Sequence, residues 1–165
     1  MFSKISNLVL IFTSFLMFSF HSQAGDMNSS MRTYMLRLSP GDDPKVKLQS
    51  FVVENNLSAA VILSAVGSLT KAVIRYANDD NATTLTGHFE IVSLSGTLSS
   101  TSGSHLHISI SDHNGKTLGG HLMDGSAIFT TLEVSIGALP QLEFKREMDP
   151  LTTFKELKVY SAKKK

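Results

Sequence analysis

The stretch GSHLHISISDHNGKTLGGHLMDG, Gly103 to Gly125, alternates apolar and polar residues on either side of a turn, and the register of that turn decides what the chain builds. Residues two apart in a strand share a face and lie about 6.6 Å apart along it, so His105 and His107 point two imidazoles the same way. A third ring must come from the partner strand. Asp112 suits the first position of a type I turn and Gly115 the fourth, which favours a three-residue loop His113-Asn114-Gly115 with a left-handed glycine. That loop pairs Asp112 with Lys116 and, counting back along both arms, His107 with His121, leaving His105 one diagonal step away. A two-residue Asn114-Gly115 turn would instead pair His113 with Lys116 and set His121 opposite Ile108, on the wrong face.

The apolar pattern agrees with the longer loop. Leu106, Ile108 and Ile110 then share a face with Leu118, Gly120 and Leu122, while the other face carries His105, His107, Ser109, Ser111, Thr117, Gly119, His121 and Met123. One side packs and the other borders a polar cleft; Gly119, opposite Ser109, reads as room for a ligand. Three converging neutral imidazoles are a metal site, with an unmetallated polar cluster as the alternative. Zn²⁺ comes first, and Ni²⁺ or Cu²⁺ also suit imidazole. Three such ligands leave a fourth position open on zinc, where a bound water becomes acidic or a carbonyl is polarised. Of the other histidines, His113 belongs to the turn tip, His21 to the N-terminal segment, and His88 admits either role. Phe89, Phe129 and Phe144 read as core residues.

Residues 1–24 carry a different signal. Lys4 precedes an apolar run from Leu8 to Phe20, too short for the roughly 20 residues of a membrane span, and Ser22-Gln23-Ala24 resembles a small-residue cleavage site. A secretory signal peptide and export to a periplasm or beyond the cell are expected, with no stable membrane span after its removal. There is no cysteine in the 165 residues, hence no disulfide and no thiol nucleophile. The 15 basic residues against 14 acidic ones lose Lys4 with the signal, and Lys163 to Lys165 form a tail within 161–165, so the folded body is mildly acidic. Such a balance leaves little to build the basic face that displaces counterions from phosphates, and no nucleic-acid partner is expected.

Past a polar leader at 25–30, Met31 to Leu38 reads as a strand and Lys45 to Asn55 as the one helix, with Val46, Leu48, Phe51 and Val52 on one face and Pro44 in its first turn. Ala59 to Val66, closed by Gly67, and Leu69 to Tyr76 read as separate strands, and Asn78 to Asn81 as a loop. His88 to Leu94, Gly96 to Ser100, Ser104 to Ser111 and Lys116 to Met123 follow as strands, and Ala127 to Ile136 and Leu142 to Arg146 close the sheet. About nine strands against one helix imply a single α+β domain, 31–160, whose curved, largely antiparallel sheet packs on the helix.

The order of the pieces carries a resemblance. GHFEIVSLSGTLSS (Gly87 to Ser100), the hairpin above, TTLEVSIG (Thr130 to Gly137), the earlier ILSAVGSLTKAVIRY (Ile62 to Tyr76) and the later LEFKREMDPLTTFKEL (Leu142 to Leu157) together resemble the plants and prokaryotes conserved (PPC) domain. The H-x-H followed by GGH is its most specific element. The resemblance implies an α+β fold, assembly as a homotrimer and, as in many bacterial members, a metal held at His105, His107 and His121. Plant members join the domain to AT-hook segments with an Arg-Gly-Arg core, which this sequence lacks. The H-x-H pair is also similar to that of alpha-acetolactate decarboxylase, a zinc enzyme of the same fold group, and this implies a second possibility: a zinc-dependent lyase or hydrolase acting on a small carbonyl compound. Its acid or base would be Glu90 or Glu133, each of which could instead be structural. The leading expectation is an exported trimer that binds a metal or small ligand without catalysis.

Overall fold

The computed structural model describes residues 27–163; the expected signal peptide lies outside the described residues, as does the end of the lysine tail. In chain order the elements are β1 (Arg32–Leu38), α1 (Pro44–Glu54), β2 (Ala60–Arg75), β3 (Ala82–Ser99), β4 (Gly103–Ser111), β5 (Thr117–Leu122), β6 (Ala127–Ala138), β7 (Leu142–Met148) and β8 (Lys155–Ser161). Six of the strands form one antiparallel sheet in the order β1-β6-β2-β3-β4-β5. A further pairing of β2 with β5, Ile74 against Leu122 and Arg75 against His121, brings the sheet back onto itself and closes β2 to β5 into a ring. The α+β class with one helix and a curved antiparallel sheet is therefore correct.

Two long strands replace the four shorter ones expected from the sequence. Gly67, read as a strand end, lies inside β2 where the register against β6 shifts, and a Cβ there would collide with the carbonyl oxygen of Thr131 and stand 2.8 Å from Leu132 Cα. Gly96 does the same inside β3: a Cβ would meet the carbonyl of His105 and come within 3.0 Å of Leu106 Cα. Both glycines permit two backbones to approach where the strand bends, so they mark curvature and not termination. β3 also begins earlier than expected, at Ala82, its first five rungs pairing with the end of β2.

Helix α1 starts where Asp43 caps it, its Oδ1 accepting from the amides of Lys45 at 2.9 Å and Val46 at 3.2 Å, with Pro44 at the first position. Leu48 and Val52 are fully buried against the sheet, while Val46, expected on the same face, is exposed. They join Leu69, Ile74, Leu98, Leu106, Ile108, Ile110 and Leu122 in one buried cluster. β7 does not close the main sheet. It pairs with β8, which the sequence reading left out, in a separate two-stranded sheet whose Leu142 and Phe144 pack with Ala59 in a second, smaller cluster. Phe89 packs on the main core, but Phe129 is 41 % exposed, its ring stacked on that of His88 at 4.2 Å. No helix among the described residues is long and apolar enough to cross a membrane.

Candidate metal centre

The β4–β5 hairpin adopts the three-residue loop. Asp112 N donates to Lys116 O at 3.1 Å, Gly115 N donates to Asp112 O at 2.9 Å, and the Asp112 carboxylate accepts from the amides of Asn114 and Lys116. Gly115 sits at φ +77°, the left-handed conformation that a side chain disfavours. The resulting register sets His107 against His121, Ile108 against Gly120 and Ser109 against Gly119. Leu106, Ile108, Ile110 and Leu122 turn to the core and the histidines turn outward, as the alternation requires. Gly119 has a different role from the one expected of it. A Cβ there would strike the carbonyl of Ile108 and stand 3.1 Å from Ser109 Cα, so the glycine serves close approach of the two strands rather than space for a ligand.

One ring nitrogen from each of His105, His107 and His121 lies within 4.8 Å of the others. His105 Nε2 and His107 Nε2 both stand 3.2 Å from His121 Nδ1. Two nitrogens cannot both hydrogen-bond well to that one atom, because a ring nitrogen offers a single lone pair or a single proton. A cation held between the three rings would resolve this, because each nitrogen could then offer its lone pair to one centre. Tetrahedral ligands held 2.0–2.1 Å from zinc are about 3.3 Å apart, close to the two 3.2 Å edges, and the third edge is at most 4.8 Å. Among the described residues no carboxylate joins the cluster, which leaves a coordination position open.

The electrostatics keep the lone pairs free. Burial first, and then the charge of Arg146, hold His105 below the ordinary imidazole range; burial and then Arg75 do the same for His121. Neutral imidazole is the form that binds metal. Arg75 owes its position to ring closure, which places it directly opposite His121. Arg146 comes from β7, where its Nη2 donates to Thr97 Oγ1 at 2.8 Å, and Thr97 lies opposite His105 in the β3–β4 ladder. Beside the histidines a cleft of about 590 Å³ is walled by Arg75, Asp79, Ser104, His105, His121, Arg146 and Glu156, among others.

Glu90 and Glu133 are not brought to this cleft. Glu90 is exposed on β3 opposite Ser111, four residues or roughly 13 Å along β4 from His107. Glu133 is exposed on β6 between Arg37 and Val66. The acids that line the cleft are Asp79 and Asp80, from the loop after β2, and Glu156 of β8, whose Oε1 accepts from Thr152 Oγ1 at 3.1 Å. Sequence reading missed Glu156 together with Arg75 and Arg146, because a charged alternation such as KREM or KELKV looks like a solvated face until a second sheet folds over the histidines.

Comparison with known proteins places this architecture. The profile for the Plants and Prokaryotes Conserved (PCC) domain matches residues 25–140. A bifunctional protein GlmU of Synechococcus sp. (strain JA-3-3Ab) is 42 % identical over 130 residues, 79 % of this chain but 21 % of that protein, so the chain spans about a fifth of the relative's length. A hypothetical protein from Salmonella enterica has a structure similar at a TM-score of 0.80 and 46 % identity, covering 82 % of this chain and 97 % of that one. The metal-containing protein AF0104 from Archaeoglobus fulgidus is similar at a TM-score of 0.66 and 28 % identity, covering 78 % and 95 %. Similar structures from Ralstonia eutropha and Bacteroides thetaiotaomicron carry names that propose DNA binding; at 18 % and 19 % identity they show the fold alone.

Proposed function

Since this chain belongs to the Plants and Prokaryotes Conserved domain family, we propose that it binds a divalent transition metal, Zn²⁺ foremost, through His105, His107 and His121, as an exported homotrimer that takes a small ligand at that centre. The observation that carries the reading is the meeting of His105 Nε2 and His107 Nε2 on His121 Nδ1 at 3.2 Å, a contact set that one cation satisfies and hydrogen bonding does not. The Archaeoglobus relative described as metal-containing supports it, and the signal-like residues 1–24 support export. Trimerisation draws on the family resemblance and on exposed apolar residues such as Met35, Leu63 and Val66, which pairing between subunits would cover. DNA binding is left out of the reading: the body of the chain is mildly acidic and has no Arg-Gly-Arg core.

A second reading, a zinc-dependent lyase or hydrolase acting on a small carbonyl compound, is favoured by one specific feature. The open coordination position adjoins a cleft that holds a carboxylate, Glu156, which could move a proton there. The metal itself would supply Lewis-acid polarisation of a bound oxygen.

Elemental analysis of protein purified without a histidine tag tests the central claim. Wild type is expected to carry about one metal per chain and His107→Ala to carry almost none; equal, negligible metal in both would end the proposal. Light scattering that gave a stable monomer would remove the trimer while leaving the metal site standing.

A further inference from the structure

The wall of the histidine cleft contains two arginines that the metal site does not use, beside the exposed Lys155. Arg75 and Arg146 are half-buried, and among the described residues no carboxylate lies within ion-pair distance of either. Each guanidinium has five N–H donors, and each makes one hydrogen bond: Arg75 Nη1 to the Asp79 carbonyl at 3.1 Å, Arg146 Nη2 to Thr97 Oγ1 at 2.8 Å. Three acids share the wall, Asp79, Asp80 and Glu156, and none of them forms an ion pair with either arginine. Asp79 Oδ1 accepts from Asn81 N at 3.0 Å and Glu156 Oε1 accepts from Thr152. Glu156 acts on Arg146 through space and not by a direct bond, so both guanidiniums keep N–H donors free to meet an anion.

Their placement is specific. Arg75 stands opposite His121 across the β2–β5 closure, which puts its Cβ about 5 Å from that of the histidine and on the same face. Arg146 is tethered to Thr97, the residue opposite His105. The two guanidiniums therefore flank the histidine pair that faces the cleft, one from the ring and one from the β7–β8 sheet. A planar fork on each side suits the two oxygens of a carboxylate.

We propose that Arg75 and Arg146 form a carboxylate-binding subsite on the wall of the histidine cleft, and that the centre takes a small carboxylate whose second oxygen donor fills the open metal position, the chemistry of a 2-oxo or 2-hydroxy acid. The second half of this rests on the three-histidine reading; the subsite itself does not. A cleft of 590 Å³ has ample room for such a molecule.

The test is titration of the cobalt-loaded protein with pyruvate, followed by the visible absorption of the Co²⁺, with methyl pyruvate and inorganic phosphate as comparators. Pyruvate is expected to shift the spectrum at least tenfold more tightly than its uncharged ester. Arg75→Gln and Arg146→Gln should each weaken pyruvate at least tenfold while the cobalt content stays the same. Equal affinities for pyruvate and the ester, unweakened pyruvate binding in both variants, or a response to phosphate alone would overturn the proposal. The comparison of acid with ester uses wild type, so it holds even if a variant folds poorly. Should wild type take up no cobalt, the metal reading fails by itself, and the subsite is judged on the metal-free protein by arginine side-chain NMR. Shifts of the Arg75 and Arg146 Nε–H signals on adding pyruvate would sustain it; unmoved signals would refute it.

Discussion

Gly120→Ala should loosen the fold and the metal centre together. A Cβ at residue 120 would lie 2.6 Å from the carbonyl oxygen of Arg75 and 3.0 Å from Ile74 Cγ2. Ordinary contact with the oxygen needs another 0.6 to 0.8 Å, roughly, and the obstacle is backbone, which cannot rotate away as a side chain would. β5 must retreat from β2, and the closure it would strain consists of two residue pairs, Ile74–Leu122 and Arg75–His121. Overpacking of this kind costs about 1–3 kcal/mol, and a weakened ladder bond adds about 1 kcal/mol, so a loss of about 2–4 kcal/mol is expected. With a urea slope of about 2 kcal/mol per molar, the midpoint should fall by about 1–2 M. His121 moves with β5, and metal–ligand distances tolerate only about 0.2 Å, so zinc affinity measured against a chromophoric chelator should drop at least tenfold. An unchanged midpoint together with unchanged zinc affinity would mean that the two-pair closure neither carries strain nor positions His121.

Two further outcomes follow from individual contacts. Asp43→Ala removes the cap of α1 and the acceptor for Gly125 N, and should cost about 1–2 kcal/mol in urea unfolding; Asp43→Asn, whose one acceptor oxygen can restore the cap while its Nδ2 cannot accept from Gly125 N, should recover only part of it. In the metal-free protein, His105 and His121 have folded values below the ordinary 6.5, so the unfolded chain binds more protons between the two values. Stability is then full above about pH 6.5 and is lost as pH falls through the lowered folded values, and the double variant His105→Gln/His121→Gln should flatten that slope in urea midpoints taken from pH 7.5 to 5. Identical slopes in both proteins would show that the rings are not held neutral.

What was legible in the sequence was local. The alternation of GSHLHISIS, the Asp112 to Gly115 turn and the facing of His107 with His121 depend on contacts within one hairpin, where turn type fixes register and register fixes faces. The helix was legible for the same reason: Asp43, Pro44 and the Leu48–Val52 spacing are short-range signals. Strand length was not. Gly67 and Gly96 terminate strands in most readings of a sequence, and only the partner backbone that each one admits, at Thr131–Leu132 and at His105–Leu106, reveals a bend in a continuing strand. Phe129 went to the surface because its face of β6 is uncovered by the helix, a matter of which layer lies where and not of its own hydrophobicity.

The charged half of the site was illegible for a deeper reason. Arg75 reaches His121 through a pairing between strands some forty-five residues apart, and Arg146 and Glu156 reach the cleft from a sheet outside the ring. A hairpin alone can aim three imidazoles at a point, yet it cannot choose their protonation state or the charge of whatever approaches them. Those two properties arrive with the closure of the ring and the docking of β7, since burial and the guanidiniums are what depress His105 and His121. Cutting the Arg146–Thr97 tether by Thr97→Val should therefore leave the hairpin register intact while His105 rises toward its ordinary value, observable by NMR titration of the metal-free protein. A His105 titration unmoved by that substitution would place its depression in burial by the hairpin itself, and would take from the second sheet its part in setting the site.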